Sequence, residues 1–153
     1  MQNQRKTTAI NDTTKGVLTV ELSRCTDLPL VGSTCDSVVE FKLADPDAPD
    51  GPDIRKTAPI FNERSPRFRV KQDFVYVSAT SMLTMTVFDQ PGLFEFSNIV
   101  KLGRKSDTPL GKVRIPVKDV AKTGRLKDAY PLLEADQGDM HLTLSWQPVE
   151  RDD

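Results

Sequence analysis

Aspartates are the densest source of chemistry in this 153-residue chain. Asp45-Pro-Asp-Ala-Pro-Asp-Gly-Pro-Asp53 holds four acids and three prolines in nine residues. Alternating carboxylates can offer oxygens to Ca²⁺, which takes about six to eight of them. The run lacks the EF-hand spacing and its terminal Glu, so it reads as a stiff, solvated connection. Acid–base and nucleophilic chemistry find less support. His141 is the only histidine, and it sits on the polar side of an alternating segment. With no second histidine, a base to activate Ser or Cys is missing. Cys25 and Cys35 lack the Cys-x-x-Cys spacing and the His partners of a zinc site. Two cysteines could clip a short loop in an oxidising compartment, but two free thiols are the adopted reading. Gly103 and Gly111 are isolated, so there is no phosphate-cradling loop. Arg67-Phe-Arg69 is the only basic–aromatic interleaving, too little for nucleic acid. An enzyme, a small-molecule substrate and a nucleic-acid partner are therefore not expected.

The unusual stretch is the eighteen-residue connection from Gln90 to Asp107. It carries Leu93, Phe94, Phe96, Ile99 and Val100, followed by Lys101, Arg104 and Lys105. A connection this long inside one domain is usually functional or disordered. An apolar segment beside a cationic one has the composition that docks on anionic lipid.

The elements that must hold this connection alternate with the period of a β-strand. Leu83, Met85 and Val87 alternate with Thr84, Thr86 and Phe88, and Gln90-Pro-Gly ends that strand. Val113, Ile115 and Val117 alternate with Lys112, Arg114 and Pro116. Earlier strands are expected over 17–22, 37–43, 54–60 and 68–77, with 54–60 at an edge because Pro59 cannot donate to a ladder. Residues 117–122 suit one helical turn stopped at Gly124, and 126–133 a seventh strand. The last strand, 140–146, turns Met140, Leu142, Leu144 and Trp146 inward and His141, Thr143 and Ser145 outward. Eight short strands at even spacing predict an all-β fold, an eight-stranded antiparallel sandwich. Residues 1–15 and 149–153 read as tails around one domain at 16–148.

Composition agrees. A chain of this size can bury about 70% of its unfolded surface without disulfide or metal. The net charge of −1 gives no global pull towards an anionic partner, so electrostatic function must be local. No apolar run reaches transmembrane length and no signal peptide opens the chain, so a cytoplasmic location is expected.

The chain resembles a C2 domain over residues 16–148. The resemblance rests on Gly-Val-Leu-Thr-Val-Glu-Leu at 16–22, Asp27-Leu28-Pro29, Asp36, Arg55-Lys-Thr57 and Asn62 with Ser65-Pro-Arg-Phe68. It continues through Leu83-Thr-Met-Thr-Val-Phe-Asp89, Leu110-Gly111 and a final strand similar to those of extended-synaptotagmin and tricalbin C2 domains. It implies the permutation in which the extra strand comes last. In calcium-binding members, Asp side chains on the first and third loops cradle the ions. Here the resemblance leaves Asp36 and Asp89, with Asp107 displaced by one position from the acid expected at Thr108. Gly32 and Pro91 stand where further acids are expected. The implied calcium site is degenerate, so calcium-independent or weakly calcium-responsive behaviour follows, with no other cofactor. Asp36 and Asp89 also suit a simpler role as turn acids that cap loop backbone.

If the sandwich runs up and down, alternate loops share an end, and those at 24–36, 61–67 and 90–108 lie together. That end would collect Arg64 and Arg67 with Lys101, Arg104 and Lys105 around Leu93, Phe94, Phe96 and Ile99. Glu134, Asp136 and Asp139 would fall there too. The expected function is a phospholipid-binding module on the cytosolic face of an anionic membrane, within a larger lipid-transfer, tethering or trafficking protein. The alternative is a protein-interaction module that binds no lipid, with the apolar 93–100 loop or an edge strand as its interface. A simpler structural reading packs Phe94, Phe96 and Ile99 down onto the sandwich.

Overall fold

Leu18, Val20, Leu22 and Cys25 are fully buried along one strand, and the rest of the molecule is laid against them. The computed structural model describes residues 14–30, 35–90 and 107–149. The strands are β1 (Lys15–Thr26), β2 (Ser37–Ala44), β3 (Asp53–Lys56), β4 (Arg67–Ser78), β5 (Met82–Asp89), β6 (Thr108–Pro116), β7 (Arg125–Pro131) and β8 (Asp139–Pro148). One helix, α1 (Val117–Thr123), follows β6. It ends on Gly124, whose φ of 83° is left-handed and whose N–H donates to the Val120 carbonyl.

Two four-stranded antiparallel sheets form an all-β sandwich, ordered β4-β1-β8-β7 and β3-β2-β5-β6. Each contributes one apolar face. Leu18, Val20, Leu142 and Leu144 come from the first sheet, and Val39, Phe41, Leu83, Met85 and Val113 from the second. These rows shared between two sheets are the expected product of period-two alternation. The last strand pairs with the first, from Gly16 opposite Pro148 to Thr26 opposite Asp139.

Several expectations need correction. The connectivity is not up-and-down, because β1 lies between β4 and β8 while β2 crosses to the other sheet. Antiparallel pairing in both sheets still brings the first and third connections to one end. β3 stops at Lys56 instead of reaching Ile60. The Thr57 hydroxyl accepts the Val39 N–H at 3.0 Å, Pro59 has no N–H to offer, and Ile60 keeps only an isolated bridge to Ser37. β1 runs four residues past Leu22, because Arg24, Cys25 and Thr26 keep pairing with β8 beyond a bulge at Ser23. β6 begins at Thr108, where it pairs with Asp89. β7 ends at Pro131, after which the Leu132 N–H turns to the Gly138 carbonyl at 3.0 Å.

The two thiols are free and buried. Burial, with Cys35 nearby, pushes the Cys25 thiol up to about 12. Burial first, then the Asp89 and Asp36 carboxylates, raises Cys35 to about 11. Both are therefore neutral at pH 8 and should resist a thiol reagent until the protein unfolds, which labelling of native and denatured protein would show. As pH rises from the ordinary thiol value of 9.0 towards 11–12, the unfolded chain loses protons that the folded chain keeps, so stability should fall. The decline should be shallower in the double variant Cys25→Ala/Cys35→Ala, as followed by thermal melting.

A second prediction concerns Gly16. A Cβ there would run into the Trp146 indole and come within 2.8 Å of the Gln147 carbonyl oxygen. Gly16→Ala should destabilise the domain by about 1–3 kcal/mol through overpacking, read as a lower melting temperature.

Candidate functional site

The connections that follow β1 and β3 meet at one end of the sandwich and are tied by hydrogen bonds. The Leu28 N–H donates to the Arg64 carbonyl at 2.9 Å, and Glu63 N–H to the Cys35 carbonyl at 2.9 Å. The Asp27 N–H donates to the Ser65 hydroxyl at 3.0 Å. Asp27 and Asn62 hold φ values of 54° and 55°, left-handed conformations that short polar side chains tolerate best among non-glycine residues.

Asp36 and Asp89 sit at the centre of this end. Both are buried. Asp36 Oδ1 accepts the Asn62 N–H at 2.8 Å, and Asp89 Oδ1 accepts the Asp36 N–H at 3.0 Å. The Gln90 N–H donates to the Asp36 carbonyl at 2.7 Å. Buried carboxylates survive because such bonds replace the water they lose. Here their acceptor oxygens hold three chain segments together. Half-buried Asp107 adjoins this pair, since Thr108 is in register with Asp89. Among the described residues, no group of three or more His, Cys, Asp or Glu is gathered to hold a metal ion. Asp36 and Asp89 each already accept a backbone N–H bond, and Asp107 lies to one side.

Of the predicted cations, Arg64 and Arg67 fall among the described residues. Arg64 stays at the loop end, where its Nε donates to the Leu28 carbonyl at 3.0 Å and its Nη2 faces Asp27 Oδ1 at 3.5 Å. That guanidinium ties two loops, and its ion pair is too exposed to add much stability. Arg67 does not join it. It opens β4 opposite Arg24 and lines a groove on the outer face of the first sheet. Leu93, Phe94, Phe96, Ile99, Lys101, Arg104 and Lys105 lie outside the described residues. The chain leaves for them at Gln90 and returns at Asp107, both beside the Asp36–Asp89 pair.

Two apolar residues here escaped the sequence reading. Leu30 is 46% exposed in the connection after β1, and Phe61 is 57% exposed in the one after β3. An aromatic between Pro59 and Asn62, in a segment otherwise fit only for turning, was the available signal. The connection after β7 comes to the same end, where the Gln137 side-chain amide donates to the Asp27 carbonyl at 3.1 Å. It brings acids with it, and Glu134 pairs with Lys112 at 3.0 Å.

No curated protein sequence is a significant match to this chain. Among solved structures it is similar to C2 domain A of plant extended synaptotagmin 1, at 16% identity and a TM-score of 0.68 over 89% of this chain and 97% of that one. It is also similar to the calcium-bound pair of C2 domains, A and B, of extended synaptotagmin 2, at 22% identity and a TM-score of 0.68 over 89% of this chain. Human GIVD cytosolic phospholipase A2 matches at 16% identity and a TM-score of 0.67 over 92% of this chain. The chain spans 47% of the extended synaptotagmin 2 structure and 18% of the phospholipase. Identities this low establish a shared fold. The C2 domain family matches residues 16–132, most of the sandwich just described, and this chain belongs to that family.

Proposed function

We propose that this C2 domain docks on anionic phospholipid membranes through the end where the connections after β1, β3 and β5 meet. Calcium contributes weakly or not at all. The domain works on the cytosolic face, inside a larger lipid-transfer, tethering or trafficking protein. The observation that supports this most is the exposure of Leu30 and Phe61 at that end. Phe61 adjoins Asn62, whose N–H is held by Asp36 beside the points where the 91–106 segment leaves and returns, and that segment's sequence combines Leu93, Phe94 and Phe96 with Lys101, Arg104 and Lys105. Apolar side chains rimmed by cations suit the boundary between headgroups and hydrocarbon.

The energetic terms are comparable. Burying one Phe in an apolar phase is worth roughly 1.5–3 kcal/mol, and each cation near an anionic surface about 1 kcal/mol. Neither alone would hold the domain firmly. Phe94→Ala with Phe96→Ala should therefore weaken co-sedimentation with phosphatidylserine vesicles at every salt concentration. Phe61→Ala should do the same by roughly tenfold while leaving the melting temperature in place, because this ring is already exposed. Charge reversal at Lys101, Arg104 and Lys105 should remove only the part of binding that salt screens. If the Phe94/Phe96 variant binds normally but melts lower, those rings belong to the core and the insertion reading fails. If the protein ignores vesicles altogether, a protein partner becomes the better reading, and exposed Val75 and Tyr76 on edge strand β4 are where to look.

For calcium the expected result is silence. A ligand bound only by the native state raises its stability by mass action. Micromolar Ca²⁺ should leave the melting temperature unchanged, and a clear upward shift would show that Asp107 completes a site with Asp36 and Asp89.

A further inference from the structure

The connection between β2 and β3 carries acids that the fold does not employ. Residues 45–53 repeat Pro-Asp three times at a spacing of three and hold four acids and no cation. Two of the acids are engaged, because Asp45 Oδ1 accepts the Asp47 N–H and the Thr80 hydroxyl, and Asp53 pairs with Arg55. Asp47 and Asp50 stay exposed, and among the described residues neither forms an ion pair. The Ala48 N–H closes the first turn on the Asp45 carbonyl at 3.0 Å, and Pro46, Pro49 and Pro52 fix the backbone around it. Two free carboxylates therefore project from a stiff turn, which has little conformational freedom to lose when it is bound.

The opposite charge gathers in a groove of about 540 Å³ on the outer face of the β4-β1-β8-β7 sheet. Its charged lining is Arg24, Arg67, Arg69 and Lys127 against one carboxylate, Asp128. Among the described residues none of these four cations forms an ion pair, and Asp128 Oδ1 already accepts the Ala129 N–H at 2.8 Å. Leu22 and Cys25 both point into the core, and the bulge between them turns Ser23 and Arg24 together into the groove. Arg24 lies across from Arg67, a like-charge pairing that weakens a sheet, and Arg69 is held at a left-handed φ of 53°.

The turn does not meet the groove of its own molecule. β2 starts at the loop end, with Ser37 opposite Asp89, and reaches the turn only after Ala44, more than about 20 Å along the sandwich. Arg24 and Arg67 sit within two residues of the loop-end positions Thr26 and Pro66, and on the other sheet. A contact between them needs two molecules.

We propose that the groove receives the Asp47–Asp50 turn of a second copy of this chain. Three guanidiniums can each grip a carboxylate in bidentate fashion, and Lys127 adds a point charge. The volume is on the scale of a small-ligand pocket, which suits the four-residue tip Asp47-Ala-Pro-Asp50 and not a whole strand or helix. A net charge of −1 gives two copies almost no mutual repulsion, so local complementarity decides whether they meet. The two surfaces differ and lie at different ends, so the contact is heterologous and repeats head to tail. Charge complementarity supplies most of the attraction, and salt should screen it.

Sedimentation velocity of the full chain, with no lipid present, tests this independently of the membrane reading. The weight-average sedimentation coefficient of the wild type should rise with protein concentration in about 0.05 M salt and stay flat in about 0.5 M. The turn variant Asp47→Asn/Asp50→Asn and the groove variant Arg69→Asn/Lys127→Ala should each weaken self-association at least about tenfold. Asn tolerates the left-handed position, and all four mutated side chains are exposed, so melting temperatures should hold. The control Asp119→Asn/Asp136→Asn removes the same charge from elsewhere on the surface and should associate like the wild type. Mixing the two variants is the decisive step. The turn variant keeps an intact groove and the groove variant an intact turn, so together they should form a one-to-one pair that neither forms alone. A wild type that stays monomeric at every concentration in low salt overturns the proposal, as does an equal loss in the control. So does a mixture that fails to pair, since the contact would then involve other surfaces.

Discussion

β1 is hydrogen-bonded along both edges, to β4 on one side and β8 on the other, and the molecule is arranged around that constraint. A doubly paired strand has no free backbone to adjust, so its irregularities pass to its neighbours. The bulge at Ser23 shifts the register with both partners at once. It restores Cys25 to the core after Arg24 has turned out, and β1 can therefore run on to Thr26 and deliver the following connection to the loop end. At the other extremity, Gly16 lets the Trp146 ring close over the backbone where a side chain would not fit.

The sandwich is open along the side where β3 and β4 are edge strands, and one arginine spans it. Arg55, on β3, pairs with Asp53 at 2.9 Å and donates to Gln72 Oε1 at 3.0 Å and the Asp73 carbonyl at 2.9 Å on β4. Its guanidinium also stacks 3.9 Å from the centroid of Phe74, a cation–π contact. Edge strands left free invite pairing with other chains, and this clamp covers part of both. The acidic run that first suggested a metal serves the same purpose. Asp45 Oδ1 accepts the Asp47 N–H at 3.0 Å and the Thr80 hydroxyl at 3.2 Å, and Asp53 holds Arg55, so these acids shape turns and edges.

Charge is thereby sorted over the surface although the whole chain is nearly neutral. Asp36 and Asp89 at the loop end are engaged with backbone, and the cations lining the groove on the first sheet form no ion pair among the described residues.

Much of the fold was legible in the chain. Period-two alternation identified the buried rows of β1, β5 and β8, down to Trp146 inward and His141 outward, because a strand interior to a sandwich must match its apolar side to the core. Gly124 marked the end of the helix because a left-handed residue was needed there. The resemblance drawn from short motifs reached the family. Alternation within a strand says nothing, however, about which strands become neighbours or where a bulge reverses a face. Arg24 and Arg69 line one groove only because pairing among β4, β1, β8 and β7 sets their register. Arg67, grouped by sequence with the loop cations, faces that groove for the same reason. The early end of β3 depended on a threonine hydroxyl taking an amide from β2, and the exposure of Phe61 on how the chain turned afterwards. Those outcomes are set by contacts between residues distant in sequence, which no local pattern encodes and only the packed tertiary structure decides.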